Sequence, residues 1–428
     1  LSSTDLHRTV ETVWRIESAK LIATLVRLVR DVGLAEELAQ DALVAALEQW
    51  PVSGVPEHPG AWLMTTAKHR AFDRLRRHML HERKALELAC EIEDQMMASV
   101  QAPDQTIDES VPDDLLRLMF IACHPLLSTE ARAALTLRLL GGLSTDEIAR
   151  AFLVPEPTIA QRIVRAKRTL AEARVPFEVP HGDALAARIS SVLGVLYLIF
   201  NEGYSATAGD DWMRPALCEE ALRLGRVLAE LAPGEPEVHG LVALMEIQSS
   251  RAGARIDSNG DPILLPDQDR SRWNRLLIQR GLAALARSEQ PGATPGPYAL
   301  QAAIAACHAR APSAEATDWA RIVGLYDALA QLTPSPVIEL NRAVAVSMAY
   351  GPAAGLELVK SLVGISSLAQ YHWLPSVHGD LLMKLGRFEE ARIQFEQAAR
   401  QTRNQRERQF LTDRAAACSN ARTDQDQA

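Results

Sequence analysis

The stretch from Leu143 to Leu170, LSTDEIARAFLVPEPTIAQRIVRAKRTL, admits few structures. Ser144 followed three residues later by Glu147 forms a capping box, so a helix is expected to start at Thr145. Ile148, Ala149 and Phe152 give that helix an apolar face. Leu153-Val154-Pro155 breaks it, because proline cannot continue a helix and restricts the residue before it. A second helix is expected near Pro157-Thr158, where the missing proline N–H costs nothing. Ile159, Ile163, Ala166 and Leu170 would face inward, and Thr158, Gln161, Arg162, Arg165 and Arg168 outward. Two short helices joined by a tight turn, the second one basic, form a helix-turn-helix pattern. Arginine on such a helix can read guanine in a major groove, and glutamine can read adenine. An amphipathic helix with a solvated basic face gives the same pattern.

The rest of the chain limits the alternatives. At 428 residues it should hold more than one domain. Aromatic residues are only 5%, Ala and Leu dominate, and runs alternating with period two are scarce, so an all-α protein is expected. A net charge of −9 argues against a general nucleic-acid coater and leaves room for local basic patches. The cysteines, Cys90, Cys123, Cys218, Cys307 and Cys418, are scattered and include no CxxC. Neither a metal site nor a disulfide framework is expected, no cofactor is implied, and the reducing cytoplasm is the natural location. No signal peptide is visible, and Val192 to Phe200 (VLGVLYLIF) is too short to span a bilayer, so it reads as a buried helix and no membrane span is expected.

Upstream, residues 6–30 read as an amphipathic helix or pair, stopped at Asp31-Val32-Gly33. Residues 34–50 read as one helix ended by Pro51, with Glu36, Glu37, Gln40 and Asp41 clustered on its outer side. Like charges one turn apart are mildly unfavourable; a basic partner would relieve them, and a solvated face would tolerate them. After a Pro/Gly/Ser loop, a third helix is expected from Ala61 to about Met79. Leu63, Ala67, Ala71 and Leu75 pack inward, while Arg70, Arg74 and Arg77 form an outer stripe joined by Lys68 and Arg76. With Trp62, His69 and Phe72 nearby, this block suits phosphate contact plus stacking on a base. A solvated basic helix over core aromatics is the alternative.

Pro59 to Arg77, PGAWLMTTAKHRAFDRLRR, resembles the promoter-melting segment of extracytoplasmic-function sigma factors, a branch of the sigma-70 superfamily. That family's proline, Ala-Trp-Leu, Ala-Arg/Lys and Asp-x-Leu-Arg-Arg correspond to Pro59, Ala61-Trp62-Leu63, Ala67-Lys68 and Asp73-Arg74-Leu75-Arg76-Arg77. The helix carrying Glu36, Glu37, Gln40 and Asp41 resembles the family's core-polymerase contact helix. The Leu143–Leu170 segment resembles its −35 reader, with Thr158-Ile159, Arg162 and Arg165-Ala166 in the family's Thr-Val-x-x-Arg-x-x-Arg-Ala. The sequence departs from the family at His69, where Asn is frequent, and at Ala160-Gln161, where Lys-Ser is frequent. The resemblance implies that Trp62, Lys68, His69, Arg70, Arg74, Arg76 and Arg77 meet the −10 DNA. It implies that Thr158, Gln161, Arg162, Arg165, Lys167 and Arg168 meet the −35 DNA. The implied partners are promoter DNA and core RNA polymerase, through its beta-prime and beta subunits.

Between these modules, Ala85 to Asp114 is acidic, broken by Pro103 and Pro112, and reads as a partly disordered tether or an ordinary solvated linker. Beyond a break near residues 175–182, helical pairs alternate with Pro/Gly turns. The clearest, His378 to about Thr402, is similar to a tetratricopeptide repeat (TPR). Within this half, Leu196 to Thr207 (LYLIFNEGYSAT) ends in Asn201, Glu202 and Tyr204, with Asp210, Asp211 and Trp212 following. Those groups could bind a ligand or could cap helices; the structural role is preferred, because no metal spacing or nucleophile–base pair accompanies them. Asp257 to Asp269 lacks EF-hand spacing and reads as a surface loop. LYLIFNEGY after the reader resembles a marker of sigma factors with a long TPR-like extension, which implies control by the fused part and no obligatory separate anti-sigma factor.

The expected protein is therefore all-α and not an enzyme. Residues 1–80 form a sigma region 2-like domain, 81–112 an acidic linker, 113–175 a region 4-like helix-turn-helix domain, and 183–428 a TPR-like regulatory solenoid. A stand-alone helix-turn-helix regulator with a ligand-sensing helical domain is the alternative. A third reading makes the C-terminal half an enzyme or scaffold around Glu202, Tyr204 and Asp210.

Overall fold

The computed structural model describes residues 3–81, 105–258, 260–289 and 294–427. Among them lie eighteen α-helices and a single pair of two-residue strands, so the all-α expectation holds. The chain divides into two compact units, residues 1–196 and 197–428.

The first unit opens with α1 (Ser3–Val29), α2 (Val32–Ser53) and α3 (Pro59–His81). Leu21, Ile22, Leu25, Leu38, Ala42, Leu63, Ala67 and Ala71 are buried, and the three helices pack on one another along these faces. Arg30 adopts a left-handed φ of 54° at the corner between α1 and α2, and Asp31 then caps α2 by accepting from the Leu34 N–H at 2.7 Å. Pro51 does not end α2 as expected: the helix runs on to Ser53 and stops at Gly54, φ 84°. A proline this late removes only one hydrogen bond, and the buried Trp50 holds the last turn in place.

The middle of the expected linker lies outside the described residues. Its end does not behave as a tether, because α4 (Gln105–Ala122) is already helical before Asp114. The buried Leu116, Leu118, Met119 and Phe120 supply the reason. There follow α5 (Thr129–Leu139), α6 (Thr145–Phe152) and α7 (Glu156–Glu172). The capping box is formed as expected: the Ser144 hydroxyl accepts from the Glu147 N–H, and the Glu147 carboxylate accepts from the Ser144 N–H. Leu153 makes the turn with φ 49°. Ile159, Ile163, Ala166 and Leu170 are all buried.

α8 (Asp183–Tyr204) contains the division between the units. At 22 residues it is much longer than its apolar run, and it is long and apolar enough by length and composition to cross a membrane. Val192, Leu193, Leu196, Ile199 and Phe200 of this helix are buried within the protein.

The second unit continues with α9 (Pro215–Leu231), α10 (Pro236–Ser249), α11 (Arg275–Ser288), α12 (Pro297–Arg310), α13 (Trp319–Leu332), α14 (Pro336–Tyr350), α15 (Pro352–Leu362), α16 (Trp373–Lys384), α17 (Phe388–Gln401) and α18 (Gln405–Gln427). Successive helices pack on each other. Several do so closely through small residues. A Cβ on Gly379 of α16 would sit 3.0 Å from Phe395 and 3.2 Å from the Ala391 carbonyl oxygen of α17. Gly386, φ 74°, makes the turn between them. Phe395 and Ala391 are fully buried in a core shared with α14, α15 and α18. Replacing Phe395 with Ala empties that core, and the C-terminal unit should lose about 4 kcal/mol in urea denaturation.

Candidate polymerase and nucleic-acid interface

α2 splits the predicted acidic cluster in two. Glu37 and Asp41 are exposed. Glu36 is 4% exposed and faces α5 and α7. Its Oε1 accepts from Arg138 Nε at 2.6 Å and from Gln40 Nε2 at 2.9 Å, and its Oε2 pairs with Lys167. Arg138 also donates to the Leu143 carbonyl oxygen at 3.1 Å, at the entrance to the helix-turn-helix. A carboxylate taken out of water costs several kcal/mol unless cations meet it, and here two do.

Further bonds tie the same modules. Arg15 of α1 reaches the capping-box Glu147 at 2.7 Å. Arg27 of α1 meets Asp114 of α4 at 3.2 Å, and Arg117 holds the other oxygen of this fully buried carboxylate at 2.7 Å. A Cβ on Gly142, φ 66°, would come within 2.9 Å of Ser18 Oγ. Pattern reading missed Arg15, Arg27, Asp114 and Arg138, because an ion pair across many residues leaves no local period. Only Asp114 and Arg117, three apart on one helix, carried a readable signal.

On α7, Gln161, Arg165 and Arg168 are exposed, and Thr158 and Arg162 are half-buried. Lys167 does not join that outward face; it turns to Glu36. On α3, His69, Arg74 and Arg76 are exposed. Lys68, expected on the outer stripe, is instead buried, and burial followed by the nearby Arg27 lowers its ammonium pKa below the ordinary lysine value. Its position one residue after the buried Ala67 puts it on the inner edge of the helix. Arg70 donates to the Asp41 carbonyl oxygen at 2.6 Å and so fastens α3 to α2. Trp62 is half-buried and meets the buried Trp50 edge to face, with centroids 5.5 Å apart. The side chain of Arg77 lies outside the described residues. The exposed remainder presents an acidic edge on α2, a basic face on α3 and a basic, amide-bearing face on α7.

In the second unit, the Asn201-Glu202-Tyr204 motif divides by role. Glu202 pairs with Arg214 and accepts from the Thr207 hydroxyl at 2.9 Å, so it closes the turn after α8. Tyr204 lies under Arg255, whose guanidinium carbon is 3.4 Å from the ring centroid. Asn201 and Tyr204 line a cavity of about 270 Å³ with Tyr197, Arg251, Gln301 and His308. Asp210 and Asp211 do not join it. The loop after the motif pairs with the far end of the chain, Ala208 with Arg403 and Gly209 with Asn404. The buried Asn404 donates to the carbonyl oxygens of Ala206, at 3.2 Å, and Asp211, at 2.8 Å. Among the described residues no cluster of His, Cys, Asp or Glu could hold a metal ion.

Comparison with known proteins sorts these units. The family model for sigma-70 region 2 matches residues 16–80, and that for sigma-70 region 4 matches residues 117–170. A family of unknown function, DUF6596, matches residues 188–289. An uncharacterized protein of Rhizobium meliloti (strain 1021) is 43% identical over 393 residues, 91% of each chain. A protein of Mycobacterium tuberculosis, described as a probable ECF RNA polymerase sigma factor, SigI, is 27% identical over 173 residues, 40% of this chain and 58% of that one. No solved structure matches.

Two outcomes follow from this geometry. Glu36→Ala leaves Arg138 and Lys167 facing each other without a counter-charge, and should cost the N-terminal unit about 3 kcal/mol in urea denaturation. In the C-terminal unit, burial, with Arg251 and Arg270 beside it, pushes the His308 imidazole from its ordinary 6.5 down to about 4. The unfolded chain therefore takes up this proton first as pH falls. The stability held by neutral His308 is complete above pH 6.5 and is lost as pH falls towards about 4. His308→Gln should flatten that part of the profile of melting temperature against pH.

Proposed function

The chain belongs to the extracytoplasmic-function sigma factors of the sigma-70 family, and on that premise we propose that it docks on core RNA polymerase through α2 and opens promoters through α3 and α7. The observation that carries this reading is the set of exposed faces: Glu37 and Asp41 on α2, His69, Arg74 and Arg76 on α3, and Gln161, Arg165 and Arg168 on α7. Glu37 and Asp41 meet basic surface on the beta-prime subunit, and the α7 module sits on the beta subunit. Arg74 and Arg76 hold −10 backbone phosphates, while the face near Trp62 and His69 receives an unstacked base. Arg162, Arg165 and Arg168 anchor α7 in the −35 major groove, and Thr158 and Gln161 reach base edges. The chain itself catalyses nothing; it lends promoter choice to the polymerase, and it works in the cytoplasm, where polymerase and DNA are.

The Glu36 ion pairs give this reading a mechanism. Glu36 and Lys167 were both expected to face partners, and each neutralises the other. Docking on polymerase replaces the Arg138 and Lys167 partners of Glu36 with polymerase cations and frees Lys167 for DNA. The C-terminal unit is a TPR-like regulatory domain, a reading supported by the close α16–α17 pair at Gly379, and it takes over control that a separate anti-sigma factor would otherwise exert.

Co-purification with core RNA polymerase tests the proposal. The intact chain should be retained, and Glu37→Lys combined with Asp41→Lys should not. In reconstituted transcription, Arg165→Ala should lower initiation about tenfold with polymerase binding unchanged. An intact chain that ignores polymerase yet binds a specific DNA site alone would make it a stand-alone regulator.

A further inference from the structure

The cavity at the end of α8 has the chemistry of a receptor for one negative charge. Arg251 is 7% exposed, lines the cavity, and is the one residue in the described lining that is charged at neutral pH, since His308 is held neutral. No carboxylate lies within ion-pair distance of its guanidinium among the described residues. Glu202, the acidic residue of the motif, is already paired with Arg214. Arg251 Nη2 donates to the Tyr204 hydroxyl at 2.9 Å and to Gln248 Oε1, while its Nε is buried with no acceptor. Buried guanidinium groups are ordinarily met by a carboxylate or phosphate. The other arginines nearby are differently engaged. Arg255 donates to the Tyr204 carbonyl oxygen, and Arg270 donates to those of His308, at 2.6 Å, and Ala311, at 2.9 Å, with Glu315 in its electrostatic neighbourhood.

The remaining lining says what the anion is attached to. Asn201, Tyr326 and Asn341 bring two amides and a hydroxyl with no side-chain hydrogen-bond partner among the described residues. Tyr197, Phe200 and Tyr204 give aromatic walls, with Phe200 and Tyr204 stacked at 5.7 Å. A volume of about 270 Å³ suits one ring with its substituents, and a single guanidinium matches a monoanion better than a phosphate dianion. We propose that this cavity binds a small aromatic carboxylate, its charge on Arg251 and its ring against the aromatic wall, oriented by Asn201, Gln301 and Asn341. This site stands whether or not the chain binds polymerase, because its test reads ligand binding alone.

The test is calorimetric titration and thermal melting of the full chain with sodium benzoate, with benzamide and inorganic phosphate as matched probes. Benzoate should bind saturably and raise the melting temperature, and benzamide and phosphate should do neither at the same concentration. Arg251→Met should weaken benzoate binding at least about tenfold. Because that change also removes bonds to Tyr204 and Gln248, Asn341→Phe serves as the second variant. It occupies the cavity from an exposed position and should abolish binding while leaving the unliganded melting temperature unchanged. No saturable benzoate binding up to about 10 mM, equal binding of benzamide, binding of phosphate alone, or undiminished binding in Asn341→Phe would each overturn the assignment.

Discussion

A buried carboxylate organises the N-terminal unit. Glu36 cannot leave water uncompensated, and the groups that meet it, Arg138 and Lys167, belong to α5 and α7. Its burial therefore requires the helix-turn-helix to sit against α2. Asp114 repeats the device, holding α4 to α1 through Arg27 and Arg117. Such pairs add little net stability over a well-packed apolar contact, but they are specific. Losing either partner strands a charge, so the register of the two modules is set by electrostatics and their cores by apolar helix faces.

Glu37, Asp41, Gln161 and Arg165 stay exposed to water. Glu36 and Lys167 do not, because each is the other's counter-ion. The ion pair joins two helices of one unit, and neither group can be removed without stranding the other.

The C-terminal unit is organised by close approach. Glycines at 240, 281, 355 and 379 let helix backbones come near enough that a Cβ would crowd a neighbouring helix. Longer-range order comes from a polar anchor, Asn404, which donates across nearly two hundred residues of chain and accepts from the Glu407 N–H three residues on. The motif at the end of α8 belongs partly to this scaffold, through Glu202 and Arg214, and partly to the cavity, through Asn201 and Tyr204.

The amino-acid sequence alone determined the helical class, the helix-turn-helix with its capping box, the inward faces of α3 and α7, and the likeness to two sigma regions. All of these depend on neighbours within a turn or two, where period and capping chemistry are local. Packing across the fold settled that Pro51 lies inside a helix, that Lys68 is buried, and that the chain before Asp114 is helical. It alone turned Glu36 and Lys167 towards each other, and it alone gathered Arg251, Asn201 and Asn341 around one cavity. For Lys68, Glu36, Lys167 and Arg251 the physical reason is the same. Which charged or amide side chain leaves solvent is settled by the groups that pack opposite it, and those groups come from far along the chain.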